Sequence, residues 1–140
     1  MQTPRPEQRL ATDWVAGFER RDVELLMSVF AEGATFWDPR FPPFAGLARI
    51  RAYYTEMMEK TRHWKVVCSA PYLLDSSAFA LHTRSTFEMT SNGTVIDFPL
   101  VAFFRHHAGL ITAYEEYWDT AYLMRQMAIG ASRPESPPPV

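Results

Sequence analysis

Asp38 is the residue of this sequence whose type and surroundings point most directly to chemistry. It stands in Val29–Leu47, VFAEGATFWDPRFPPFAGL, with Phe36, Trp37, Phe41 and Phe44 as near neighbours. A carboxylate in apolar surroundings is disfavoured as an anion, so the sequence predicts a raised pKa for Asp38 unless a donor such as the Trp14 indole or Arg84 reaches it. A raised value suits a general base working near neutral pH. Asp before Pro also initiates turns, and that structural role competes with the catalytic one. The segment YEEYWD supplies further carboxylates. On a strand, Tyr114, Glu116 and Trp118 share one face, and Glu115, Tyr117 and Asp119 share the other. Trp118 is the better pocket wall, which turns Glu116 inward; a slip of one residue would reverse the two faces. His82 alternates in phase with Arg84, Thr86 and Glu88. It is an acid or base if that face lines a cavity, and an interface residue if it does not. An Arg84–Glu116 pair is equally readable as a structural ion pair. His63 falls at a helix–strand junction, and His106 and His107 fall at a turn expected to be solvated.

The elements that must position these residues follow from periodicity. Leu10, Trp14 and Phe18 recur at helical spacing, with Ala11 and Val15 widening the stripe. Asp22 is a suitable N-cap for a short helix over 23–30, stopped by Gly33. A short extended run over 34–37 leads into the Asp38-Pro39 loop. A third helix over 48–60 carries Ile50, Tyr53, Tyr54, Met57 and Met58. The period then becomes alternating: strands are predicted over 64–74, 78–90, 94–106 and 110–118, with turns at Asp75-Ser76-Ser77, Ser91-Asn92-Gly93 and His107-Ala108-Gly109. A last amphipathic helix runs over 120–129 and ends at Gly130. Helices first and antiparallel strands after predict an α+β domain in which a curved sheet cups the helices around a pocket. Residues 1–131 read as one domain, and 132–140, SRPESPPPV, as a disordered tail.

Bulk properties remove several function classes. At 140 residues the chain suits a single domain. A net charge of −2 without a basic run argues against nucleic acid. The single cysteine, Cys68, excludes an internal disulfide, fits a reducing cytoplasm, and reads as a buried inert thiol. No stretch approaches the roughly 20 apolar residues of a membrane span, and the N-terminus lacks the apolar run of a signal peptide. Metal-ligand spacing, G-x-G-x-x-G and P-loop motifs are absent, so neither metal nor nucleotide cofactor is expected. Aromatic residues are high at 14%, which fits a bulky core, the reading composition alone favours, or an apolar pocket or interface. Phe79, Leu81, Phe98, Leu100, Phe103 and Phe104 place apolar side chains on both faces of the long strands, which predicts a homodimer through the outer sheet face.

The element order, the segment VFAEGATFWDP followed by Gly46 and ARIRAYY, and the closing LITAYEEYWDTAYLMRQ together resemble the nuclear transport factor 2-like superfamily. The ketosteroid isomerase-like and SnoaL-like branches are the nearest, and the resemblance spans about residues 8–129. It implies a conical α+β barrel with a deep pocket, cofactor-independent chemistry and frequent dimerisation. The general base of ketosteroid isomerases falls on Asp38. Their two oxyanion donors fall on Trp14, which offers only an indole N–H, and on Val101, which offers none. The pocket implied by the resemblance includes Trp14, Phe18, Tyr54 and His82 on one side. Val101, Phe103, Tyr114 and Trp118 complete it. The strands also resemble limonene epoxide hydrolases, whose catalytic Arg falls on Arg84 and one of whose acids falls on Glu116; their other acid falls on Thr86, which cannot serve. The expected function is proton transfer on a small apolar carbonyl compound, leading to isomerisation, cyclisation or elimination, with Asp38 as base. A binding domain without chemistry and an epoxide hydrolase using Arg84 and Glu116 are the alternatives.

Overall fold

The computed structural model describes residues 3–132. The fold is α+β. Helices α1 (Pro6–Glu19) and α2 (Val23–Ser28) come first, followed by β1 (Phe30–Trp37), β2 (Phe44–Ala45) and α3 (Leu47–Lys60). Then come β3 (Thr61–Cys68), β4 (Tyr72–Asp75), β5 (Ala78–Met89), β6 (Val95–His107), β7 (Leu110–Tyr117) and α4 (Thr120–Ser132). One curved sheet runs in the order β2-β1-β7-β6-β5-β3, with β4 also on β5, and it does not close into a barrel. It is mixed rather than wholly antiparallel, because β1 pairs parallel to β7.

The helices form where the apolar stripes demand it. α1 buries Leu10, Trp14 and Phe18, and α3 buries Ile50, Tyr54 and Met58, each set at intervals of four. The Asp22 carboxylate accepts the Leu25 N–H at 3.0 Å and caps α2. α2 stops at Ser28, earlier than expected, and Gly33 lies inside β1 instead of ending a helix. Gly46 caps α3 at φ 97°, a conformation that disfavours any side chain. The predicted strand over 64–74 is two strands, β3 and β4, both antiparallel to β5. Gly130 does not end the last helix. It packs inside α4, where an added Cβ would meet Thr94. Ser132 is likewise helical, and the rest of the expected tail lies outside the described residues.

Alternation along β5 and β6 fixes which side chains see the core. Thr83, Ser85 and Phe87 point inward, and His82, Arg84 and Thr86 are exposed. On β6, Ile96, Leu100, Ala102, Phe104 and His106 are buried. His106 is not the solvated turn residue expected: β6 extends through His107, and the same alternation that buries Ala102 and Phe104 turns His106 inward, 3.4 Å from the Glu7 carboxylate of α1.

Gly17 has a packing role that periodicity alone does not reveal. A Cβ there would lie 2.5 Å from Leu26 Cγ, so the missing side chain lets α1 and α2 close on each other. Gly17→Ala gains at most about 1 kcal/mol of helix propensity and incurs overpacking of about 1–3 kcal/mol. The expected result is a net loss of about 1 kcal/mol and a melting temperature lower by roughly 4 °C. A variant at or above the wild-type melting temperature would show that Leu26 moves aside without cost.

Candidate active site

The parallel pairing of β1 and β7 sets the site. Phe36 is level with Tyr114, so two residues further on Asp38 is level with Glu116. Pro39 ends β1 at that point, and Asp38 becomes the first residue of a turn: its backbone carbonyl accepts the Phe41 N–H at 3.0 Å, and its Oδ1 accepts the Arg40 N–H at 2.8 Å. The turn brings the Arg40 side chain back onto the same carboxylate, with Nε 3.1 Å from Oδ1 and Nη2 3.2 Å from Oδ2. Tyr53 of α3 donates to Asp38 Oδ2 at 2.7 Å and lies 3.3 Å from Glu116 Oε1. Tyr114 donates to Glu116 Oε2 at 2.9 Å. Asp38 is therefore both turn-former and network centre, and it is only 1% exposed.

These partners divide the charge between the two acids. Burial pushes the Asp38 carboxyl up, but the hydrogen bonds from Glu116, from Arg40 and from Tyr53 outweigh it and hold Asp38 below its ordinary value. This corrects the raised pKa expected from its apolar neighbours. Glu116 goes the other way. Burial, and then the hydrogen bond to and the negative charge of Asp38, push it well above the ordinary carboxylate range. The opposite shifts favour the proton on Glu116, hydrogen-bonded to Asp38. Burial also raises Tyr53, Tyr54 and Tyr114 well above the ordinary phenol, so all three remain O–H donors.

A cavity of about 230 Å³ lies against this network. Arg40, Phe41 and Trp118 wall one side, Tyr53 and Met57 of α3 another, and Trp64, Phe87 and Phe98 of the sheet a third; Leu123 and Met127 of α4 complete it. Asp38 and Glu116 do not line it. Glu116 instead borders a void of about 20 Å³ behind the wall, together with Trp14, Phe18, Tyr54 and Tyr114. Trp14 Nε1 donates to the Tyr54 hydroxyl at 3.3 Å and does not reach the cavity.

Several expected site residues are elsewhere. Arg84 is exposed and pairs with Asp97, 2.8 Å from Nε to Oδ1 and 2.6 Å from Nη2 to Oδ2, so it faces neither Glu116 nor the cavity. His82, Val101 and Phe103 share the outer sheet face, because the inward parity of β5 and β6 belongs to Thr83, Ser85, Leu100, Ala102 and Phe104. Of the implied pocket residues, Trp118 lines the cavity, with its indole N–H buried and unpaired, while Trp14, Phe18, Tyr54 and Tyr114 line the inner void. Sequence reasoning missed Arg40, Tyr53, Trp64, Phe87 and Phe98 as cavity residues. Tyr53 was visible on the α3 stripe, one position before Tyr54, and Arg40 could have been found from the Asp-Pro-Arg turn, which returns its second-following residue to the carboxylate. Among the described residues no group of His, Cys, Asp and Glu could hold a metal ion, and no helix is long and apolar enough to cross a membrane. Cys68 is half-buried, and burial raises its thiol.

The division of charge has a consequence for stability. A lowered Asp38 contributes stability that is present above its ordinary value of 3.8 and is lost as pH falls through the lower folded value. A raised Glu116 contributes stability that is fully present below its ordinary value of 4.5 and is lost as pH rises toward its folded value. Glu116→Gln stays neutral throughout. Urea unfolding at pH 5, 6, 7 and 8 should show wild-type stability declining with pH relative to the variant. Parallel profiles would show that Glu116 ionises normally in the folded protein.

The SnoaL-like domain model matches residues 11–114. Solved structures share the fold at low identity. A candidate polyketide cyclase from Pseudomonas putida superposes with a TM-score of 0.77 at 20% identity, covering 88% of this chain and 98% of its own. A protein with a ketosteroid isomerase-like fold from Catenulispora acidiphila gives 0.77 at 16% identity, covering 95% and 100%. An M. tuberculosis LEH-like epoxide hydrolase gives 0.74 at 13% identity, covering 90% and 92%. No curated protein matches the sequence. With a match over most of its length and the ketosteroid isomerase-like architecture around one aromatic cavity, the chain belongs to the SnoaL-like domain family.

Proposed function

We propose that this protein is a cofactor-independent enzyme that moves a proton on a small, largely apolar carbonyl compound, in an isomerisation, cyclisation or elimination. One observation carries the reading: a single hydroxyl, that of Tyr53, contacts two buried carboxyl groups, Asp38 at 2.7 Å and Glu116 at 3.3 Å, and lines an apolar cavity; the opposite shifts of the two acids make Asp38 the ionised partner and Glu116 the protonated one. Asp38 is the proton acceptor. Because it does not itself line the cavity, the proton reaches it through Tyr53: the phenol oxygen takes the substrate proton as its own proton passes to Asp38 Oδ2. Tyr53 never becomes a phenolate in such a transfer, consistent with a pKa raised by burial. Glu116 stays neutral and donates to Asp38, which keeps the pair at a single negative charge. A cavity of about 230 Å³ is half again the roughly 150 Å³ that admits benzene, so it suits a compact substrate of about ten non-hydrogen atoms.

Binding without chemistry is the second reading, and the burial of Asp38 behind Arg40 and Tyr53 favours it. Proton exchange separates the two. Acetylcyclohexane incubated with the protein in deuterium oxide should exchange its α-protons faster than in buffer, as read by proton NMR. Asp38→Asn should lower that acceleration by about 10²–10⁴-fold, and Tyr53→Phe should lower it as well. No acceleration by the wild type across a panel of compact ketones, or full activity in Asp38→Asn, would overturn the acid–base reading.

The outer sheet face, where Phe103 and Tyr117 stand exposed beside each other, is the proposed homodimer contact. Sedimentation at micromolar concentration should return the mass of a dimer; a monomer's mass would count against it.

A further inference from the structure

We propose that Arg40 holds the substrate's carbonyl oxygen through Nη1 and takes up the negative charge that develops there when the adjacent C–H proton leaves. The assignment rests on the acid–base reading above. It answers a chemical need: the electron pair of the broken C–H bond moves to form C=C, the carbonyl becomes C–O⁻, and the proton goes to Asp38 through Tyr53. An enolate in an apolar cavity requires a donor aimed at its oxygen. Neither residue first implied for that role supplies one, since Trp14 donates to Tyr54 and Val101 lies on the outer face.

The polar residues lining the cavity leave one candidate. Glu56 and Lys60 are exposed and pair with each other at 2.7 Å. The Thr61 hydroxyl donates to the Met57 carbonyl at 2.6 Å and accepts the Trp64 indole N–H at 2.7 Å. Tyr53 gives its proton to Asp38. Of the remaining donors, the Trp118 indole N–H is unpaired but buried, with no exposed surface of its own. Arg40 meets Asp38 with its Nε–Nη2 edge, Nη2 also lies 3.4 Å from the Tyr53 hydroxyl, and Nη1, on the opposite edge of the planar fork, makes no hydrogen bond among the described residues. Its guanidinium is also held in place. The carbon Cζ lies 5.1 Å from the Phe41 ring centre and 5.3 Å from that of Trp118, and both rings line the same cavity. Arg40 is partly exposed, yet its guanidinium packs against two aromatic rings and pairs with a buried carboxylate, which limits the reorganisation needed when charge appears on the ligand.

Two probes of nearly the same shape isolate this contact: acetylcyclohexane, and isopropylcyclohexane, in which a methyl replaces the carbonyl oxygen. Binding is read by the fluorescence of the cavity tryptophans. Arg40→Met should weaken the ketone about tenfold, as for loss of a charge-assisted hydrogen bond, and leave the hydrocarbon within about twofold. Because that change strands the Asp38 carboxylate, the same comparison is made between Asp38→Asn and Asp38→Asn/Arg40→Met, where no charge is left unpaired. Arg40→Lys, which keeps the charge but loses the fork, should recover part of the ketone affinity. In the exchange reaction, Arg40→Met should lower kcat by a larger factor than it raises KM. Equal losses for both probes, an unchanged ketone affinity, or no ketone binding by the wild type would each overturn the assignment of Arg40. A wild type that binds the ketone selectively but fails to exchange its protons would overturn the acid–base reading and leave the carbonyl grip of Arg40 standing as a binding contact.

Discussion

Two carboxyl groups side by side in an aromatic wall cannot both carry charge, and the site is built around that limit. The structure resolves it by unequal provision of donors. Asp38 receives the Arg40 backbone N–H, two guanidinium contacts and the Tyr53 hydroxyl. Glu116 receives the Tyr114 hydroxyl, and the positive charge of Arg40 acts on it less strongly than burial does. The anion therefore settles on Asp38 and the proton on Glu116. Every element around the site serves this division: the parallel β1–β7 pairing sets the two acids level, Pro39 turns the chain so that Arg40 folds back, and α3 delivers Tyr53 between them.

The cavity depends on a second polar cluster that touches no ligand. Asp97 of β6 takes Arg84 on one side and the Tyr122 hydroxyl at 2.7 Å on the other, while the Gln126 side chain bonds both the N–H and the carbonyl of Asp97. Tyr122 and Gln126 belong to α4, and the next residues along that helix, Leu123 and Met127, wall the cavity. Arg84 thus bears on the site only through the seating of α4. Its pair with Asp97 is solvent-exposed, so its worth lies more in fixing orientation than in stability.

The fold was legible because its signals are periodic: the stripes of α1 and α3 and the long alternating runs of β5, β6 and β7 each specify an element and its length. Inward and outward faces were harder to read, because both faces of β5 and β6 are mixed. Thr83 and Ser85 are polar yet buried, while Val101 and Phe103 are apolar yet on the outer face, so hydrophobicity does not mark the core side and His82 and Arg84 were free to be assigned to it. His106 escaped because β6 runs on through His107, so the inward parity of Ala102 and Phe104 reaches a residue that the sequence places at a turn. The sign of the Asp38 shift was misread because apolar sequence neighbours suggest burial, whereas the donors that reverse it come from a turn two residues on and from α3. The inner-facing strand set Tyr114, Glu116 and Trp118 could be written from the sequence; the hydroxyl of Tyr53 that joins Glu116 to Asp38 could not, because it depends on how α3 docks.

Tyr53, Met57, Trp64 and Phe98 line both the outer cavity and the small void behind it, so they form the partition between the cavity and the carboxyl pair. That partition explains why chemistry here would run through a hydroxyl instead of a bare carboxylate. If Asp38 opened directly onto the cavity, water would reach Glu116 as well. Burial is the largest of the effects that keep Glu116 protonated, and solvent would weaken it and blur the difference between the two acids. In the proposed relay a phenol in the wall, its own pKa raised by burial, would pass a proton without admitting water. On that reading the aromatic residues of the wall would exclude solvent from the proton between Asp38 and Glu116, and Tyr53 and Arg40 would be the two polar points facing the cavity.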